Sequence, residues 1–109
     1  MKKDIDFEDF MKLDIRVGEI IECSHLENSD KLFKLKVDFG KFQRQILSGI
    51  RDFYKTKDLL GQQAVFIINI PPRKIRGEMS EGMILCSDDK KSVIFLTPKK
   101  KISNGAKIL

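Results

Sequence analysis

Between residues 13 and 22 the chain alternates and then loses step, and that fault limits the folds open to it. Leu13, Ile15 and Val17 project to one side of an extended strand. Beyond Gly18 the pattern slips by one, so that Ile20 and Ile21 are neighbours. A glycine at a register fault predicts a bulge or sharp coil, the device that lets one long strand belong to two sides of a small barrel. Residues 23–30 then read as a polar loop holding the sole histidine, His25. Residues 32–39 alternate cleanly, with Phe33, Leu35, Val37 and Phe39 on one face and Lys34, Lys36 and Asp38 on the other. Gly40-Lys41 connects tightly into a third strand over 42–48. A helical turn over 56–60 is expected next, capped by Thr56 and stopped by Gly61. The run 64–70 is nearly all apolar and predicts a central strand, and 83–87 and 92–96 predict two more.

Three strands, a short helix and two further strands form the chain order of a five-stranded OB barrel. The fold class is therefore all-β. A short N-terminal helix is expected over residues 6–12, capped by Asp6, with Phe7, Phe10 and Met11 on one face. So short a helix must dock on the body or on another subunit. At 109 residues, with 41% hydrophobic and 34% charged residues, one globular domain over 1–109 is expected. No run is long enough to span a bilayer, and the N-terminal residues have no apolar stretch fit for a signal peptide. Cys23 and Cys86 lie in or beside apolar, strand-like segments, which predicts reduced, mostly buried thiols in a cytoplasmic protein.

Charge is distributed unevenly. Residues 1–54 carry 10 Lys/Arg against 11 Asp/Glu, while residues 55–109 carry 11 against 5. The excess lies in Arg73, Lys74 and Arg76, in Lys90-Lys91 and in Lys99-Lys100-Lys101. The first cluster sits between Pro71-Pro72 and the apolar run Met83-Ile84-Leu85-Cys86. Buried unpaired charge is too costly, so these cations must face water or an anion. The lysine runs suit solvated loops. The arginine-bearing corner suits phosphate, which a guanidinium grips bidentately.

Enzymatic readings find little support. One histidine cannot build a His-based metal site, and the cysteines are not in a C-x-x-C pair. There is no G-x-G-x-x-G, P-loop or nucleophile elbow. No metal, cofactor or catalytic residue is expected. A binding surface is easier to assemble: Arg44 on the third strand, Arg73, Lys74 and Arg76 on the loop after the fourth, and Ser80 and Met83 where the chain re-enters the barrel. Few aromatics fall on faces predicted to be exposed. Recognition of a folded RNA by shape and phosphate is thus favoured over stacking on single strands.

These residues also carry a resemblance. Residues 13–18 (Leu-Asp-Ile-Arg-Val-Gly), Ser29-Asp30-Lys31-Leu32, Val37-Asp38-Phe39-Gly40, Ser48-Gly49-Ile50, Asp58-Leu59-Leu60-Gly61 and the block 69–83 resemble, in order and spacing, the tRNA-binding domain found at the C-terminus of many methionyl-tRNA synthetases and as small free-standing proteins. The resemblance covers essentially the whole chain, and its length and initiator methionine suit the free-standing type. It implies an OB fold whose C-terminal extension, here about 88–109, pairs two copies into a homodimer with help from the N-terminal helix. It also implies structure-specific tRNA binding without catalysis, a role that suits action in trans for an aminoacyl-tRNA synthetase such as the methionyl enzyme. The RNA-contacting positions it implies are Lys31, Arg44, Arg73, Lys74, Arg76, Ser80 and Met83, of which Lys31 comes from the resemblance alone. Two departures stand out. Residues 25–29 read His-Leu-Glu-Asn-Ser where the family commonly has His-Pro-Asn-Ala, and Pro71-Pro72 is similar to the secretion-linked chaperone CsaA. The rival reading is accordingly a CsaA-like chaperone that binds unfolded or peptide segments.

Overall fold

One strand does serve two sides of a barrel. The structure, a computed structural model, describes residues 1–109. Strand β1 (Ile15–His25) pairs antiparallel with β4 (Gln63–Ile67) through Ile15 to Glu19, and with β2 (Phe33–Asp38) through Glu19 to His25. Strand β3 (Gln43–Ser48) adds to β2, and the short β7 (Met83–Ile84) adds to β4, giving the order β3-β2-β1-β4-β7. The result is a nearly closed five-stranded antiparallel barrel, as the chain order predicts.

Two details of β1 differ from expectation. The bulge lies between Ile20 and Glu22, so Ile21 and not Gly18 is the extra residue. Gly18 answers a different need: a Cβ there would sit 2.5 Å from Val37 Cγ1 and 2.7 Å from the Phe39 ring. It is the point where the coiled strand presses closest on its neighbours. The strand also runs on to His25, which therefore belongs to β1 and not to the loop.

The alternating face of β2 builds the core. Phe33, Leu35, Val37 and Phe39 are buried with Ile20, Ile46, Ala64 and Phe66, and Phe39 meets Phe66 edge-on at 5.5 Å. Leu59, the buried residue of helix α2 (Thr56–Leu59), fills the core beneath it. Thr56 is not the cap; Lys55 precedes the helix, and its N–H donates to Asp58 Oδ2 at 2.8 Å. Gly61 leaves the helix with φ +83°. Helix α1 (Phe7–Met11) has Asp6 at its N-terminal boundary, without a side-chain cap, and buries none of its residues.

The apolar run after β4 stops short of the predicted 64–70. Asn69 turns it into the N-terminal junction, accepting the Asp14 N–H at 2.8 Å and donating to the Lys12 carbonyl at 2.6 Å. Beyond β7 a hairpin of β8 (Cys86–Asp88) and β9 (Val93–Phe95) leads into the tail. The tail straps onto its own barrel. The Gly105 N–H donates to the Val17 carbonyl at 2.7 Å, the Ile108 N–H to Ile15 at 2.9 Å, and buried Gln63 holds both Ile102 and Asn104. Both cysteines are half-buried and unbridged. No helix is long and apolar enough to cross a membrane.

Candidate nucleic-acid interface

Pro71 and Pro72 carry no N–H, so the β4 ladder cannot continue through them. Past them the sequence expectation of a loop is corrected: strands β5 (Arg73–Ile75) and β6 (Glu78–Ser80) form a separate antiparallel hairpin, with Arg73 opposite Ser80 and Ile75 opposite Glu78. Its two-residue turn is Arg76-Gly77, with φ +53° and +85°. Positive φ at both positions is the type I′ pattern, whose twist matches the flanking strands. Glycine accepts this freely, whereas a side-chain-bearing residue in the left-handed region carries about 1–2 kcal/mol of strain.

The hairpin is seamed to β3 mainly by side chains, with one backbone hydrogen bond among them. Ser80 is 6% exposed; its Oγ accepts the Leu47 N–H at 3.0 Å and donates to the Gly82 carbonyl at 3.1 Å. The Glu81 N–H donates to the Gln45 carbonyl at 2.8 Å, and Glu81 Oε1 accepts the Gln45 N–H at 3.2 Å. The Gln45 amide reaches Met79 O at 2.9 Å and Glu78 Oε2 at 3.1 Å. That hydrogen bond, with Lys34 nearby, holds the Glu78 carboxyl below its usual range. Gly82 is needed where the chain re-enters, since a Cβ would lie 2.9 Å from the Ile67 carbonyl at φ +148°.

The seam fixes the cations without neutralising them. The chain's salt bridges are Lys12–Asp9, Arg16–Asp14 and Lys34–Glu78. Arg73, Lys74 and Arg76 are exposed and belong to none of these. Arg44 is half-buried and partly committed: Nη1 donates to the Ile68 and Glu81 carbonyls at 2.9 and 3.2 Å, with Cζ 5.3 Å from the Phe42 ring centroid.

The structure places the seven residues singled out in the sequence in different settings. Arg73, Ser80 and Met83 line one mainly apolar cleft of about 360 Å³, where Met83 is 48% exposed. Arg76 faces a polar cavity on the other side of the turn. Arg44 lines a depression on the β1–β3 face together with Lys34 and Lys36, two cations that the sequence reading left unassigned. Their signal was present, since they are the polar half of the β2 alternation. Lys74 is exposed on the hairpin opposite Met79. Lys31 is exposed in the loop before β2 and lines none of these cavities.

No group of three or more His, Cys, Asp or Glu side chains is placed to hold a metal ion. Burial pushes the Cys23 thiol up to about 11 and raises Cys86 as well, which disfavours the reactive thiolate.

A family model described as "Putative tRNA binding domain" matches residues 15–107. The chain belongs to that family. This tRNA-binding domain is 44% identical over 104 residues to the methionine–tRNA ligase of Pyrococcus horikoshii, covering 95% of the chain but 14% of the ligase. The chain thus spans about a seventh of the length of that relative. Among solved structures, a MetRS-related protein from Pyrococcus horikoshii superposes with a TM-score of 0.94 at 28% identity, covering 99% of this chain and all of the other. The chaperone CsaA from Bacillus anthracis superposes with a TM-score of 0.88 at 32% identity, covering 98% of this chain and all of that one. A tRNA-binding domain is a non-catalytic module, and its surface is where function resides.

Proposed function

We propose that this chain binds folded tRNA without catalysis, gripping phosphates with the hairpin of β5 and β6. One observation carries the reading: Arg73, Lys74 and Arg76 stand exposed and without carboxylate partners on a hairpin whose base is hydrogen-bonded into the barrel. Guanidinium groups fork onto phosphate oxygens, and A-form RNA is recognised through its backbone and 2′-hydroxyls. Arg44 adds its uncommitted N–H groups, and Lys31 an outlying cation. Met83 supplies apolar contact, and Ser80 sets the hairpin's position. The likeness to methionine–tRNA ligase supports action beside such an enzyme, in trans and in the cytoplasm.

Two copies are expected to pair at the surface around α1. Phe7 is 73% exposed and Met11 59%, and with Leu13, Ile108 and Leu109 they border a depression of about 500 Å³. Burying them is worth roughly 25 cal/mol per Å² of apolar surface.

The test of tRNA binding is a salt titration against unfractionated tRNA, duplex DNA and single-stranded RNA. Binding should favour tRNA and fall linearly in log K against log salt. Equal affinity for all three at low salt would refute structure-specific recognition.

The cleft that holds Arg73 and Met83 also favours a second reading, as does the likeness to CsaA. Lined by Ile50, Ile70, Ile75 and Ile84, it could hold an apolar peptide. A hydrophobic peptide that binds with little salt dependence and is not displaced by tRNA would establish it.

A further inference from the structure

The polar cavity beyond the hairpin turn contains a feature that phosphate gripping does not use. His25 sits at the end of β1, directly opposite Phe33. The two rings stack, with centroids 5.6 Å apart and planes 26° from parallel. Phe33 is fully buried and therefore fixes one face of the imidazole. His25 itself is exposed, and it lines a cavity of about 460 Å³. Arg76 and Gly77 of the turn line the same cavity, as do Lys34, Glu78, Glu27 and Asn28.

The chemistry of this lining selects among ligands. Lys34 is paired with Glu78 at 3.4 Å, so the cation left without a partner is Arg76. Two carboxylates oppose a bare polyphosphate, yet they offer acceptors to exocyclic amines. A flat π-face held from behind by a buried ring needs little further ordering before it can stack. A ring face, an unpaired guanidinium and amine acceptors together match one nucleotide, with its base on the ring and its phosphate on the arginine.

We propose that His25, backed by Phe33, is the stacking platform for one unpaired base of the bound RNA, with Arg76 holding the adjoining phosphate. This rests on the tRNA reading and deepens it: the preferred ligand has an unstacked nucleotide beside the gripped phosphates, which a perfect duplex lacks.

The experiment compares wild type, His25→Tyr and His25→Leu in titrations with unfractionated tRNA at low salt, with thermal denaturation of each. Leucine still covers Phe33 but has no π-face. His25→Leu should weaken binding about 5- to 100-fold while leaving the salt slope unchanged, and His25→Tyr should bind close to wild type. Because the chain has a single histidine, its imidazole proton resonances offer a second readout in unmodified protein. They should move upfield as a base stacks. His25→Leu binding as tightly as wild type, equal losses in both variants, or histidine resonances that stay put while tRNA binds would each overturn the platform and leave the tRNA reading intact. Wild type that fails to bind tRNA at all would remove the tRNA reading and this inference together.

Discussion

The hairpin of β5 and β6 and the surface around α1 show opposite failures of pairing. Around α1 two ion pairs form, Lys12 with Asp9 at 2.9 Å and Arg16 with Asp14 at 2.8 Å, while Phe7, Met11 and Leu13 are left exposed. At the hairpin the residues near the barrel are satisfied, yet Arg73, Lys74 and Arg76 have no counter-charge. Each surface lacks what a different partner would supply. Apolar side chains in water are stabilised by another apolar surface, and unpaired cations by a polyanion. The proposed pairing of two copies and the proposed grip on RNA fall on these two regions.

The largest effect should come from the apolar side. Phe7→Ala combined with Met11→Ala removes two side chains from each copy, and a two-fold interface counts every loss twice. At about 1.5–3 kcal/mol per fully buried side chain, the weakening is at most about 6–12 kcal/mol. Sedimentation should then show monomers at micromolar concentration; a dimer that survives would mean the seam lies elsewhere. On the hairpin, Arg73→Ala with Arg76→Ala should weaken tRNA binding about 10- to 100-fold at low salt and make the salt slope shallower by about two. Unchanged affinity would undo the division of labour. Ser80→Ala leaves the Leu47 N–H without its acceptor and should lower stability by about 1–3 kcal/mol in urea unfolding, whereas Arg73→Ala should not.

Arg76→Asn should move the two properties in opposite directions. The left-handed turn position is relieved by about 1 kcal/mol, while tRNA affinity falls. The smallest effect belongs to Asp14, whose carboxyl the hydrogen bond from Arg16 holds below its usual value of 3.8. Its stabilisation is present above the unfolded-state value and is lost as pH falls through the lowered folded value. Because the pair is solvent-accessible, less than about 1 kcal/mol is involved. Asp14→Asn should flatten that part of the acid-side loss when urea midpoints at pH 7 and about pH 3 are compared.

Where one face of a strand is buried, the sequence is plain. The alternation from Phe33 to Phe39 gives both the strand and its inward face, and the slip near Ile20 and Ile21 betrays a strand shared between neighbours. The end of β1 was hidden because Ser24 and His25 are polar and carry no period; pairing opposite Phe33 extends the strand past the last apolar signal. The hairpin was hidden for a related reason. Its strands are three residues each, too short for alternation to register, and only the X-Gly turn at Arg76-Gly77 marks it. The cation cluster was legible as composition. That Ser80 and Glu81 act in barrel closure was not, since a side chain standing in for a strand carbonyl leaves no periodic trace.

Because β3 and the hairpin are stitched by Ser80, Glu81 and Gln45, whatever tugs on the cationic tip also tugs on the wall of the barrel. An occupant seated there would brace the whole container, so its arrival should register as slower hydrogen exchange at the Leu47 and Gln45 amides. By the same coupling, a damaged stitch would show itself first as a lost grip and only afterwards as a lost fold.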